Sequence, residues 1–169
     1  EVKILSNNPR TIAGEIVTRG TNVMLGYYKN EKATNKTLDS DGWYHTGDLG
    51  TMSADGHIFI RGRSKNMLLG ANGQNIYPEE IEDKLNSMTM VSECIVVQRD
   101  DHLTALVYPD LDEVKEMGFT DEDLQGVMEQ NRQQLNDILP PYSRLQTIEI
   151  QMEEFEKTPK KSIKRYLYK

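Results

Sequence analysis

The sequence predicts an α+β protein, and three observations carry that prediction. Short apolar runs broken by Gly, Asn and Pro recur from Val2 to Arg63. Two later stretches carry helix-start signals, Pro78 followed by Glu79 and Glu80, and Thr120-Asp121-Glu122-Asp123. Around these lie further strand-like runs, Glu93 to Val97, Thr104 to Tyr108 and Leu145 to Met152. A β-rich opening is thus followed by a small region in which helices pack on one sheet.

In chain order, the first strands are expected at Val2–Leu5, Glu15–Thr18 and Val23–Tyr27, separated by the turn at Asn7-Asn8-Pro9 and the break at Gly20. Val2–Leu5 has no turn before it, as expected of a chain that begins mid-fold. Asn30 is placed to cap a short helix through Glu31-Lys32-Ala33-Thr34, which gives way to the polar turn Asp39-Ser40-Asp41-Gly42. Asp55-Gly56, between Leu49/Met52 and Ile58-Phe59-Ile60, signals a hairpin, because Gly tolerates the positive φ of such turns. Ser64-Lys65-Asn66 is a polar step before Met67-Leu68-Leu69, a composition suited to a hinge or to a plain surface turn.

Beyond it, Gly70-Ala71-Asn72-Gly73 reads as a small loop that lacks the lysine-serine/threonine ending of a phosphate loop. Pro78 opens a helix where its missing N–H costs nothing, and Glu79 and Glu80 suit the positive end of the helix dipole. Ile81, Leu85 and Met88 share one face. The Thr120–Asp123 capping box starts a second helix with Leu124, Val127, Met128, Leu135, Ile138 and Leu139 at helical spacing, ended by Pro140-Pro141. Ile163–Tyr168 suggests a short terminal helix. These apolar stripes are read as core.

The hairpin places the first candidate site. Asp48 precedes it and Arg63 ends it, so folding brings both toward one rim. A carboxylate that accepts two hydrogen bonds and a guanidinium that donates in a fixed fork suit a vicinal diol with an adjacent phosphate, as in a nucleotide ribose. The same spacing is met by a surface ion pair across the hairpin.

Composition narrows the classes. With 37% hydrophobic and 28% charged residues the chain is ordinary for a globular protein. A net charge of -7 argues against a nucleic-acid footprint. The single cysteine, Cys94, sits in an apolar run, so it forms no internal disulfide and reads as a core thiol. His45, His57 and His102 lack paired spacing, which gives no metal site, and His45 reads as a structural hydrogen-bonding residue. No apolar run approaches the ~20 residues of a membrane span and no signal peptide is seen, so the expected location is cytoplasmic.

Three stretches in fixed order, Gly42-Trp43-Tyr44-His45-Thr46-Gly47-Asp48, Gly62-Arg63-Ser64-Lys65 and Gly73-Gln74-Asn75-Ile76-Tyr77-Pro78-Glu79-Glu80-Ile81-Glu82, resemble the core motifs of the adenylate-forming ligases. The resemblance extends to Gly14-Glu15-Ile16, Gly26-Tyr27-Tyr28 and Lys157-Thr158-Pro159, and is nearest to bacterial long-chain fatty acid CoA ligases. It implies that residues 1–63 end the large N-terminal adenylation domain and that 64–169 form its mobile C-terminal lid. It implies a parent enzyme that uses ATP with magnesium, a fatty acid and CoA, with acyl carrier protein as an alternative acceptor. It further implies Asp48 on the ribose diol, Arg63 on ribose or phosphate, Lys65 as the pivot and Gly73 beside the CoA pantetheine. The phosphate loop and acyl pocket would belong to the N-terminal domain, so the 169 residues alone are expected to be inactive.

One position departs from the pattern. The terminal segment is basic, with Lys157, Lys160, Lys161, Lys164, Arg165 and Lys169. The family's lysine, which stabilises charge during adenylation, falls at Ser162, whose hydroxyl carries no charge. Lys161 is the provisional substitute, with Lys160 and Lys164 as alternatives. A nucleotide-binding relative without turnover is the other reading of the same departure.

Overall fold

In the computed structural model, which describes residues 1–168, the chain divides into two compact units, Glu1–Met67 and Leu68–Lys169. Lys169, counted above among the basic terminal residues, lies outside the described residues.

The first unit is a four-stranded antiparallel sheet in the order β1 (Val2–Leu5), β2 (Gly14–Thr18), β3 (Tyr44–Met52), β4 (Ile58–Arg63). Its hairpin turns at Asp55-Gly56 as expected, and the register sets Asp48 opposite Arg63. Helix α1 (Glu31–Thr37) is capped by Asn30, whose side chain accepts from Ala33 N. Val23–Tyr27 corrects the sequence expectation, because it forms no strand. Val23 N bonds back to Gly20 O in a turn, and Tyr27 N donates to Thr34 Oγ1 on α1 at 2.9 Å. The segment's backbone is thus committed to a loop and a helix side chain rather than a ladder.

The second unit opens with a two-stranded ribbon, β5 (Leu68–Leu69) and β6 (Asn75–Ile76), which frames the Gly70–Gly73 turn. Helix α2 (Pro78–Leu85) follows, then β7 (Val91–Arg99) and β8 (His102–Pro109), α3 (Leu111–Met117), α4 (Asp121–Ile138) and β9 (Leu145–Ile150). The sheet order is β7-β8-β9, with β7 antiparallel and β9 parallel to β8. Alternation sorts the two faces. Cys94, Val96, Leu103, Ala105 and Val107 pack under Ile81 and Leu85 of α2 and Leu124, Met128 and Leu135 of α4. Ile95, Val97 and Leu106 point the other way, where Phe155 and the partly buried Ile163 and Tyr168 of the C-terminal segment cover them. Burial on both faces explains why Cys94–Val97 reads as a continuous apolar run.

The Thr120 capping box is present in full, with Asp123 reciprocating. Ile138 departs from its expected place, being exposed at the last turn, while Leu139 enters the core from the cap position. The buried polar Asn131 takes a core-facing position and donates to Thr89 O at 2.9 Å. Ile163–Tyr168 narrows to a single 3-10 turn, Arg165–Leu167, because Ile163 is spent in a bridge to Lys157.

Candidate functional site

The candidate nucleotide-facing residues are held by a polar network at the end of β3. Gly47 adopts φ +73°, the left-handed region that favours glycine, and its N–H donates to Glu15 Oε1 at 3.0 Å. Thr46 Oγ1 donates to Ile16 O at 2.7 Å and accepts from Asp48 N at 3.0 Å. The turn that aims Asp48 is therefore stitched to β2 through Glu15 and Ile16. Arg63 Nε meets Asp48 Oδ1 at 2.8 Å, and Arg63 also donates to Thr46 O at 3.3 Å. Both side chains retain solvent access, with 60% of Arg63 and 30% of Asp48 exposed. The geometry supplies a carboxylate and a guanidinium side by side at an open rim.

Glu15 does double duty. Its Oε2 lies 2.8 Å from His45 Nδ1, and His45 Nε2 is 3.6 Å from Asp39. The hydrogen bond to Glu15, helped by the charges of Glu15 and Asp39, holds the imidazole above its ordinary value although burial opposes this. His45 is thus a structural bridge. Glu15 was visible in the sequence only as the centre of Gly14-Glu15-Ile16, where nothing announced that it would anchor a glycine thirty-two residues away.

Lys65 lies in the turn after β4, where Asn66 N and Met67 N both bond to Arg63 O. Gly73 closes the β5–β6 turn with φ +72° and a 2.8 Å bond from its N–H to Gly70 O, and a Cβ there would meet nothing within 4 Å. Beside this turn is a groove of about 430 Å³ whose wall includes Asn72, His102, Tyr142 and Arg144.

Lys161 sits on an exposed turn. Lys157 and Ile163 form its bridge, Thr158 N bonds to Ser162 O, and Lys161 N bonds to Thr158 O, each at 2.8 Å. Lys161 itself takes φ +61°, unusual for a side-chain-bearing residue. The neighbouring cations are engaged: Lys157 with Glu93 at 2.8 Å, Lys164 with Glu156 at 2.9 Å. Among the described residues, Lys160 and Lys161 make no ion pair, and both are exposed along with Ser162. Asp48, Arg63 and Lys65 belong to the first unit, Gly73 and Lys161 to the second.

Glu82 and Arg165 carry a feature that sequence reasoning missed. Arg165 donates to both carboxylate oxygens of Glu82 at 2.7 and 2.8 Å. Burial pushes the Glu82 carboxyl above its usual range and the guanidinium pulls it back. Cys94 is buried with its Sγ 3.6 Å from Glu82 O, and burial raises its thiol, so it is no nucleophile. No three His, Cys, Asp or Glu side chains cluster as a metal site among the described residues, and no described helix is long and apolar enough to cross a membrane.

Known proteins share this architecture. The family described as AMP-binding enzyme C-terminal domain matches residues 65–168. A putative acyl-CoA synthetase of Bacillus subtilis, YngI, is 49% identical over 88 residues, covering 52% of this chain and 16% of its own length. The long-chain-fatty-acid–CoA ligase FadD15 of Mycobacterium tuberculosis is 42% identical over 84 residues, 50% of this chain and 14% of its own. The chain thus spans about a sixth of the first of these relatives and less of the second. The solved structure of an anthranilate CoA ligase, AuaEII, in complex with anthranoyl-AMP superposes over 99% of this chain and 31% of that one, with a TM-score of 0.82 and 25% identity. The α+β architecture is that of adenylate-forming ligases, and the chain belongs to the AMP-binding enzyme C-terminal domain family.

Proposed function

We propose that this chain is the C-terminal part of an AMP-forming acyl-CoA ligase acting on long-chain fatty acids, with residues 1–63 ending the adenylation domain and 64–169 forming its mobile lid. The acid's carboxylate attacks the α-phosphorus of ATP, which enters with magnesium, and pyrophosphate leaves. The CoA thiol then attacks the acyl carbon and AMP leaves. Asp48 holds the ribose diol, Arg63 supports ribose or phosphate, and Lys65 is the pivot. Gly73 lets the pantetheine pass close to the backbone, and Lys161 supplies positive charge while pyrophosphate departs. The observation that carries this reading is the Asp48–Arg63 pair, set in register at 2.8 Å and still open to a ligand. A relative named for long-chain fatty acids and a structural relative bound to an acyl-adenylate support the substrate class and the intermediate. The groove beside the Gly70–Gly73 turn, with Arg144 in its wall, suits a phosphate-bearing thiol.

One observation favours a second reading. Ser162 stands where the family's lysine is expected, so a chain that binds nucleotide without turnover is the alternative. The test is fatty-acid-dependent pyrophosphate release by the full-length enzyme, over several chain lengths, beside Lys161→Ala. The ligase reading expects release by the parent. It also expects a drop of about 10²-fold in Lys161→Ala, of the size seen when one stabilising group is removed, with thioester formation from supplied acyl-adenylate kept. Nucleotide binding without release with any acid decides for the second reading.

A further inference from the structure

We propose that the buried Glu82–Arg165 pair is a positioning device that fixes the Lys161 turn, so that the adenylation step depends on two residues that never touch the substrate. The catalytic half of this inference rests on the ligase reading. The anchoring half does not.

The turn cannot place itself. Pro159, Lys160, Lys161 and Ser162 are all exposed, so among the described residues the position of the tip is set by its two stems. The first stem is held by Gln151 N on Val107 O at 2.7 Å, by Phe155 in the core and by Lys157 on Glu93. In the second stem, Ile163 is only partly buried and Lys164–Glu156 is a solvent-facing contact within the same segment. Ile163 and Tyr168 lie against the outer face of the sheet without fixed direction, and Arg165 supplies that stem's side-chain hydrogen bonds to α2 and β7.

The tie is specific. β7 is an edge strand, and the outward N–H and C=O of Val96 would otherwise be left unpaired. Glu82 Oε1 accepts from Val96 N at 2.6 Å, and Arg165 donates to Val96 O at 2.8 Å. The carboxylate and guanidinium then close on each other through two bonds. One edge residue is clamped by α2 on one side and the C-terminal segment on the other. Tyr168 adds a brace, accepting from Glu156 N at 2.7 Å with its ring edge-on to Phe155 at 5.1 Å. Without Arg165, Glu82 stays buried and unpaired, Val96 O loses its donor, and the stem three residues beyond Ser162 is released. A misplacement of about 1 Å costs about 10²-fold in a step that depends on orientation.

Two measurements test the two halves. Hydrogen exchange is read in the full-length enzyme at Thr158, Lys161 and Lys164, whose amides close the turn, in Arg165→Ala and, as an exposed-pair control, Arg99→Ala. Arg99 pairs with Glu149 across the sheet with 41% of each side chain exposed. The expected result is exchange at least about tenfold faster at the turn in Arg165→Ala, with the turn less protected there than Ala105 and Leu106 so that it opens locally, and no change in Arg99→Ala. Turn protection that survives Arg165→Ala overturns the anchor. So does a turn whose protection in Arg165→Ala equals that of β8, since it would then open only with the whole unit. In parallel, pyrophosphate exchange should fall about 10²-fold in Arg165→Ala while thioester formation from supplied acyl-adenylate stays within about twofold, and Arg165→Lys, which keeps the charge without the fork, should recover part of the loss. Faster turn exchange with undiminished pyrophosphate exchange overturns the catalytic half. Full activity of Lys161→Ala overturns the ligase assignment of Lys161 while the exchange data still decide the anchor.

Discussion

Asp48–Arg63 and Glu82–Arg165 are built from the same two functional groups and differ in what surrounds them. The first faces across a hairpin with 60% of the arginine side chain exposed, and its turn is held by neighbours rather than by the pair. In the second, 11% of the Glu82 side chain and 20% of the Arg165 side chain are exposed, and each partner is also bonded to the backbone of Val96. A carboxylate–guanidinium pair open to solvent can exchange partners for a ligand at little cost. One whose bonds are spent on an edge strand cannot, because removing Arg165 strands the largely buried Glu82 without its partner. Chemistry of residue type does not separate a binding site from a clasp. Burial and partner count do.

The largest effect that would break this contrast is on stability. Arg165→Ala should destabilise the second unit by about 3–5 kcal/mol, the cost of leaving a buried charge unpaired. Urea unfolding followed by the far-ultraviolet helix signal measures it, since α2, α3 and α4 all lie in that unit. A loss below about 1 kcal/mol, the range of exposed pairs, would mean that water reaches the pair and that the two arginines are alike.

An intermediate effect is expected behind the open pair. Glu15→Ala removes the acceptor of Gly47 N and the partner of His45, and should cost about 1–3 kcal/mol for groups left unsatisfied. The only tryptophan, Trp43, reports on this unit by fluorescence, being flanked by Lys3 Nζ at 3.8 Å and Arg19 at 4.6 Å from its ring centre. The same network has a pH signature. His45 titrates above its ordinary 6.5 in the folded state, so its contribution is fully present below 6.5 and is lost as pH rises through the raised value. The Trp43 unfolding midpoint should therefore drop across that window in the parent and stay flat there in His45→Gln. A parent midpoint that rises instead would contradict the Glu15 contact.

The parts of this picture that could be read in the sequence are those written in local pattern. The Asp55-Gly56 hairpin, the Thr120 capping box and the alternation of β7 and β8 depend on neighbours within a few residues. What escaped depends on distant partners. Val23–Tyr27 has strand composition but no ladder to join, and α1 claims its backbone through Thr34. Helix α3 escapes although Asp110 caps it and Gly118, at φ +67°, ends it, because its apolar residues Leu111, Val114 and Met117 span only two turns and none is fully buried. The parallel pairing of β9 with β8 is a matter of chain path, invisible in the alternation of Leu145–Ile150. Asp48 and Arg63 were legible because a hairpin joins them. Glu82 and Arg165, eighty-three residues apart, had no such bridge.

The smallest expected change in stability is the most informative about function. Arg63→Ala should shift the Trp43 unfolding midpoint by no more than the ~1 kcal/mol of an exposed ion pair, and high salt should erase most of that difference. Arg165→Ala should show no such salt dependence, because a buried pair is screened little. Adenylate affinity of the full-length enzyme should respond in the opposite order. Losing a charged hydrogen bond to ribose or phosphate weakens binding by about 1.5–3 kcal/mol, roughly ten- to a hundredfold, in Arg63→Ala. A residue that barely stabilises the fold yet carries that much affinity is held at the rim for a ligand. If Arg63→Ala instead costs several kcal/mol in stability and leaves affinity unchanged, the rim pair is a second clasp, and Asp48 and Arg63 lose their claim to the nucleotide.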